Sequence, residues 1–390
     1  MFKIQTLNKI AMIGLEGFPR DNYEIASEIL NPDAILVRSA DMHSMTLPAS
    51  VKAIGRAGAG VNNIPVEQCS KRGIVVFNTP GANANGVKEL VLAGLLLSSR
   101  RIVPGIEWVR TLKGKGKEVG ALVEKGKNDF VGPEIKGKKL GVIGLGAIGV
   151  MVANDALALG MEVAGYDPYI SVEAAWGLAR TVRRATSLDM LLAESDYITL
   201  HVPLMDQTKG MLNRDKFALM KKGVRIVNLA RGGLVKNADL LEALKAGAVG
   251  CYVTDFPDDD LLDVPNVIAI PHLGASTPEA EDNCAVMAVE QVRDFLENGN
   301  VKNAVNFPAC ALPVMGRNRI VVANANVPNM VGQITTVLAA DKINIADMMN
   351  KSAGDRAYNI IDIDGDVAEA QVEKLRKIEG VITARLISKA

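Results

Sequence analysis

The chain has 390 residues, of which 48% are hydrophobic and 23% charged, and Lys plus Arg equal Asp plus Glu at 44 each. That balance gives no global electrostatic case for nucleic acid or an anionic membrane, and no apolar run approaches the ~20 residues that span a bilayer. The four cysteines (Cys69, Cys251, Cys284, Cys310) have no metal-type spacing and read as reduced thiols. No metal site is expected, and with no cleavable apolar core at the N-terminus a cytoplasmic protein is expected.

In chain order, the first hundred residues alternate short apolar runs with polar helical stretches. KIAMIG, AILVRS, VKAIGRAG and GIVVFNTPG predict parallel strands ending in turn residues. ANGVKELVLAGLLLSSRRIV predicts one long apolar helix, and the Lys- and Gly-rich stretch 110–139 an irregular, mobile segment. From KKLGVIG to NVIAIPH, Val/Ile/Leu-rich strands alternate with helices again, which predicts a parallel sheet covered on both faces. A helix over EAEDNCAVMAVEQVRDFLENG is expected to return to the first domain and make it discontinuous. Beyond Pro308 and Pro313 the order strand–helix–strand–strand–helix–strand predicts a βαββαβ unit of ferredoxin-like type.

GVIGLGAIG places Gly144, Gly146 and Gly149 in G-x-G-x-x-G spacing between a predicted strand and a predicted helix. Gly144 permits the tight turn, Gly146 lets the backbone approach a pyrophosphate, and Gly149 lets the helix pack on the strand. The helix start at Ala147 and Ile148 then offers unpaired N–H groups to the anion. Asp167 ends the next strand, 18 residues beyond Gly149, where a carboxylate accepts from ribose hydroxyls and repels a ribose phosphate. No Arg follows it directly, so NAD is expected rather than NADP. IGLEG near residue 14 lacks the third glycine and the acidic partner and is set aside. His201 ends a later strand, and Val202 and Pro203 beside it are expected to line the cofactor pocket through backbone.

Three chemical groups fall just past successive strands of the same predicted sheet. Arg231, after Leu229 and Ala230, can grip a carboxylate with two parallel hydrogen bonds. TDFPDDDLL supplies Asp255, Asp258, Asp259 and Asp260, and PHLGAST supplies His272 with the small residues Gly274 and Ala275 behind it. Oxidising a secondary alcohol removes hydride from carbon and a proton from oxygen. An imidazole suits the proton, a carboxylate fixes the imidazole, and a cation holds the substrate's own carboxylate. Arg231, one acid of 258–260 and His272 fill these roles, with the expectation that they meet the dinucleotide turn in one cleft. Residue types leave open which acid serves.

GLGAIG, GYDP, NLARGG and PHLGAST, in this order, resemble the D-isomer-specific 2-hydroxyacid dehydrogenases, and VRSA, GRAGAGVNNI, FNTPGAN and HLGASTPEAEDN extend the likeness over almost the whole chain. The resemblance implies α/β architecture with two doubly wound parallel-sheet domains of Rossmann/flavodoxin type: a substrate-binding domain of residues 1–94 and 283–310 and an NAD-binding domain of residues 95–282. Residues 318–390 resemble an ACT regulatory domain. The family's catalytic Arg and His fall on Arg231 and His272, and its Glu, aligned through Phe256, falls on Asp259, one methylene shorter. The family's aspartate at the nicotinamide amide falls on Thr254, with Asp255 beside it. A phosphorylated 2-hydroxy acid, 3-phospho-D-glycerate, is implied as substrate, its phosphate meeting Arg38, Ser39, Arg56, Ala57, Gly58 and Lys88. Asn326 and Asn344 match positions that bind an amino-acid effector in relatives, although NVPN places Asn329 where Gly is usual. A homodimer or homotetramer is expected. Two alternatives stay open: a family member acting on hydroxypyruvate, glyoxylate or D-lactate, and an NAD-sensing, corepressor-like interaction protein.

Overall fold

A computed structural model describes residues 1–313 and 318–388, so the last two residues of the expected C-terminal domain lie outside it. In chain order the elements are β1 (Phe2–Leu7), α1 (Met12–Leu15), β2 (Tyr23–Ala26), β3 (Ala34–Val37), β4 (Ala53–Arg56), α2 (Val66–Lys71) and β5 (Val75–Phe77). There follow α3 (Ala84–Arg100), α4 (Ile102–Arg110), α5 (Val119–Gly126), β6 (Lys139–Ile143), α6 (Ala147–Ala158), β7 (Glu162–Tyr166), α7 (Val172–Gly177), β8 (Arg183–Arg184), α8 (Leu188–Glu194), β9 (Tyr197–Leu200), α9 (Arg214–Leu219), β10 (Val224–Asn228), α10 (Asn237–Lys245), β11 (Val249–Thr254) and β12 (Val267–Ala269). The chain closes with α11 (Pro278–Asn298), β13 (Asn318–Ala325), α12 (Met330–Ala340), β14 (Asn344–Ala353), β15 (Arg356–Asp364), α13 (Glu369–Arg376) and β16 (Val381–Ser388).

Contacts divide the chain into two compact units, Met1–Asn83 with Glu281–Ala390 and Ala84–Ala280. The first holds a parallel sheet in the order β2-β1-β3-β4-β5, a flavodoxin-like order. Its strands are apolar on both sides because both faces are covered: Ile35, Val37, Ile54 and Val76 point into one core, Leu36, Ala53 and Phe77 into another closed by α11. The same unit carries an antiparallel sheet ordered β14-β15-β13-β16, the ferredoxin-like order. One face buries Ile320, Val322 and Ile361 under α12 and α13, and the other sets Val321, Ala323, Tyr358 and Ile360 into the core of α11. A fully buried ion pair, Arg319 Nε to Asp362 Oδ1 at 2.6 Å, fixes this contact. Arg319 also donates to the carbonyls of Asn298 and Pro313. The C-terminal segment thus joins the first unit rather than standing as a third.

The second unit is a seven-stranded parallel sheet in the order β12-β11-β10-β9-β6-β7-β8. Chain order reverses between β6 and β9, and ligands of open α/β sheets bind at the carboxyl ends of strands at such a switch. Separate cores cover its two faces, one shared by Val142, Val152, Val227 and Val253, the other by Ile143, Ile198, Ile226 and Leu240.

Three sequence expectations need correction. KIAMIG is not a strand: β1 is FKIQTL, and Asn8, at φ 68°, turns the chain out of it into α1. The long apolar helix breaks at Arg101, whose left-handed φ of 50° separates α3 from α4. Stretch 110–139, expected to be irregular, contains α5. Among the described residues no helix is long and apolar enough to cross a membrane, and all four cysteines are buried and free.

Candidate active site

The dinucleotide turn lies between β6 and α6, and each of its glycines has a different physical reason. Gly144 has φ 90°, and a Cβ there would stand 2.6 Å from the His201 carbonyl, on the other strand of the switch point. A Cβ on Gly149 would run into the Gly144 carbonyl. A Cβ on Gly146 would meet nothing within 4 Å, so the space in front of it is open. Gly146 is the N-cap of α6 and supplies no side-chain cap, which leaves the first N–H groups of this helix facing outward, the feature an anion needs. Asp167, one residue past β7, accepts from Leu145 N at 2.8 Å and Tyr169 N at 2.8 Å, which fixes its carboxylate beside the turn.

His201 closes the other side. Its Nε2 bonds Thr199 Oγ1 at 3.0 Å, its Nδ1 is a buried polar atom without a partner, and burial pushes its pKa down to about 3, so it is neutral. An open cradle, an uncapped helix start, an acid at the ribose position and an unsatisfied buried nitrogen together fit a dinucleotide.

The loops after β10 and β12 bring Arg231 and His272 onto one aromatic ring, that of Phe256 in the loop after β11. Phe256 has its ring centroid 4.4 Å from that of His272, and the Arg231 guanidinium lies 5.8 Å from it. Asn228, buried at the end of β10, builds the Arg231 loop: its Oδ1 accepts from the N–H groups of Ala230 and Arg231, and its Nδ2 donates to the Arg231 carbonyl and Tyr252 Oη. Arg231 and His272 themselves are exposed. Asp255 is buried; its Oδ2 accepts from Gly274 N at 3.4 Å and its Oδ1 has no partner. Burial raises its pKa, partly offset by His272 and Arg231 acting through space and by the Gly274 N–H. Thr254 is buried at the strand end and accepts from Phe256 N.

Asp259 sits on an exposed 3-10 turn, where its side chain makes no hydrogen bond or ion pair among the described residues; Asp258 pairs with Asn237 instead. The site residues that sequence alone missed are Phe256 and Asn228. The first was visible only as an alignment anchor, and the second gave no signal because its partners are mainly main-chain atoms.

The expected substrate residues of the first unit form their own cluster. Arg38 Nη2 pairs with Glu281 at 2.6 Å, and Arg56 Nε donates to the Arg38 carbonyl at 3.1 Å. Asn8 Oδ1 accepts from Ser39 N and Ala40 N and so holds the loop. Burial lowers the pKa of Arg56, which has no carboxylate partner among the described residues. The amides of Ala57 and Gly58 are taken by the carbonyls of Val37 and Arg56, so those left over belong to Ala59 and Gly60. Lys88, expected at the substrate, instead joins α3 to α6 through Asp155 at 2.7 Å.

The two effector candidates do not meet. Asn326 follows the end of β13, where Ala325 pairs with Arg356, whereas Asn344 pairs with Asp364 at the other end of the sheet. The eight residues of β13 put them about 25 Å apart at ~3.3 Å per residue, too far to share one small ligand within one copy. Asn329 takes the left-handed φ of 69° that Gly usually fills, which Asn tolerates.

The model of the D-isomer specific 2-hydroxyacid dehydrogenase NAD binding domain matches residues 92–274. D-3-phosphoglycerate dehydrogenase of Archaeoglobus fulgidus is 38% identical over 296 residues, covering 73% of this chain and 54% of that protein. That of Bacillus subtilis is 36% identical over 333 residues, covering 79% and 60%. The chain thus spans little more than half the length of the curated relatives it matches. Among solved structures, NAD-bound 3-phosphoglycerate dehydrogenase of Entamoeba histolytica aligns with TM-score 0.59 and 27% identity over 78% of this chain and 98% of that one. A glyoxylate reductase from Paecilomyes thermophila aligns with TM-score 0.62 and 26% identity over 78% and 98%. The glycine turn, the ribose acid and the Arg–His pair thus all lie within residues 92–274, the part of the chain that matches the NAD binding domain of the D-isomer specific 2-hydroxyacid dehydrogenases.

Proposed function

We propose that the chain oxidises 3-phospho-D-glycerate to 3-phosphohydroxypyruvate with NAD, the entry step to L-serine. The observation that carries this reading is the packing of Arg231 and His272 on one Phe256 ring, past the strand ends of a dinucleotide-binding sheet. The sequence identity to D-3-phosphoglycerate dehydrogenases supports the substrate.

NAD, when bound, accepts the hydride. Gly144, Gly146, Ala147, Ile148 and Gly149 would hold its pyrophosphate, Asp167 its ribose, and Val202, Pro203, Leu229, Ala230, Thr254, Gly274 and Ala275 would line the rest. Arg231 grips the substrate carboxylate as a bidentate pair. His272 takes the C2 hydroxyl proton, and a carboxylate favours the imidazolium that forms. Of the acids in this stretch, Asp255 is buried and holds the Gly274 N–H of the His272 loop, whereas Asp259 is exposed, and we assign Asp255 this role in preference to Asp259. Arg38, Ser39, Arg56 and the amides near Gly58 would meet the phosphate, with Arg38 released from Glu281. The protein is proposed to act in the cytoplasm as a homo-oligomer with an amino-acid effector at the C-terminal sheet.

The test is NADH oxidation with 3-phosphohydroxypyruvate against pyruvate, glyoxylate and hydroxypyruvate. The phosphorylated acid should lead in kcat/KM by about 100-fold or more, the effect of a charge-assisted phosphate grip worth ~3 kcal/mol. Preference for an unphosphorylated acid would displace the substrate, and no turnover of any would favour a cofactor-sensing role.

A further inference from the structure

Within the first unit, β16 and α13 face the segments 49–52 and 72–75 across a cavity of about 360 Å³. Four cations line it, Lys52, Arg72, Arg376 and Arg385, and no acidic side chain does. Two are neutralised by neighbours: Lys52 by Asp33, and Arg376 by Glu369 and Glu373. Arg72 and Arg385 have no carboxylate partner among the described residues. Arg72 donates to the carbonyls of Leu47 at 3.0 Å and Pro48 at 2.8 Å. Arg385 donates to those of Phe295 and Leu296, lies against the Tyr358 hydroxyl, and stacks on the Phe295 ring with 4.3 Å to the centroid. Asp33, the acid that acts on Arg385 through space, is already held by Lys52 and the Lys3 N–H.

A guanidinium has five donors, so each of these arginines keeps N–H groups without a protein acceptor. Burial pushes the pKa of Arg385 downward, the sign of a cation without a nearby counter-ion. The rest of the lining is largely apolar and includes Val75, Val321 and Ile382. The two walls are held close at Gly73, whose φ of 70° leaves no room for a Cβ beside Thr383. At the small end of the ~300–1,000 Å³ typical of ligand pockets, the cavity suits a compact molecule with one charged end.

We infer that this cavity binds a small organic oxyanion, a carboxylate or phosphomonoester on a short apolar body, held by Arg72 and Arg385 between the C-terminal sheet and the first parallel sheet. The site shares no residue with the proposed dehydrogenase site and does not depend on it. A ligand here stabilises the folded chain by mass action.

The test is thermal unfolding of the full chain titrated with inorganic phosphate and, separately, with butyrate, each against sodium chloride at equal ionic strength. The midpoint should rise with one or both anions beyond the chloride control, and which one raises it more identifies the charged end. The rise should persist in Arg56→Gln, which lacks the arginine expected at the substrate phosphate, and disappear in Arg72→Gln and Arg385→Gln, each losing about tenfold or more in affinity. Ala49→Trp, which adds bulk to the cavity lining while keeping both arginines, should abolish it too and decides the matter if Arg385→Gln does not fold. No rise beyond chloride, a rise that survives in Arg72→Gln and Ala49→Trp, or one lost only in Arg56→Gln would overturn the assignment.

Discussion

The tripeptide Ile-Gly-Leu occurs in both units, at Ile13–Leu15 and Ile143–Leu145, each with a further glycine close behind. In the first unit the glycines serve packing. A Cβ on Gly14 would stand 2.6 Å from the Ala285 backbone of α11, and one on Gly17 would stand 3.0 Å from the Val289 side chain. In the second unit Gly144 and Gly149 shape a turn and Gly146 opens onto empty space. A glycine pair thus says only that something comes close. A second helix in one case and a phosphate in the other are told apart by the helix beside the glycines: α6 starts uncapped right after Gly146, whereas α1 is a single turn.

Substitutions at these glycines should separate the two roles. The largest effect is expected from Gly149→Ala, whose new methyl collides with the Gly144 carbonyl. It should cost about 3 kcal/mol of stability by overpacking and abolish NAD binding in calorimetric titration. Gly14→Ala meets backbone rather than a movable side chain and should cost ~1–3 kcal/mol in chemical denaturation while leaving NAD affinity unchanged. Gly146→Ala should do the reverse: stability within about 0.5 kcal/mol of wild type, but NAD affinity down at least tenfold, because the methyl fills the pyrophosphate approach. Equal loss of NAD affinity in Gly14→Ala and Gly146→Ala would erase the distinction between the two segments.

A smaller effect concerns His201, whose carbonyl Gly144 approaches. Its pKa is about 3 in the folded chain against 6.5 for a solvated imidazole, so below pH 6.5 the unfolded chain binds a proton that the folded chain does not. Stability should therefore fall as pH drops from 6.5 toward 3. His201→Asn should lose less stability than wild type over that interval; an unchanged slope would mean the ring is not held neutral.

The glycine turn, Asp167, Arg231 and His272 were legible because each follows an apolar strand, and strand ends of a parallel sheet are where ligands sit. What failed to show depends on partners that no local pattern encodes. Asn8 ends β1 with a left-handed φ and holds the Ser39 loop, so the apolar run after it looked like the strand itself. Lys88 looked like a free cation until Asp155 came beside it. Asp255 and Asp259 are interchangeable as letters, and only burial and the Gly274 N–H distinguish them. Asn326 and Asn344 are near in sequence yet sit at opposite ends of one sheet, because β13 and β14, both antiparallel to β15, run parallel to each other and the crossover through α12 returns the chain to the starting end.

The most direct test of the central claim, that the chemistry at Arg231 and His272 is hydride transfer from C2 of a phosphorylated acid, is to supply 3-phospho-D-glycerate deuterated at C2 together with NAD. Deuterium recovered at C4 of the reduced nicotinamide, and its loss in His272→Asn through failure to turn over, is the result expected. Reduced nicotinamide without the label, or none formed by the wild type from this or any other D-2-hydroxy acid, would contradict it.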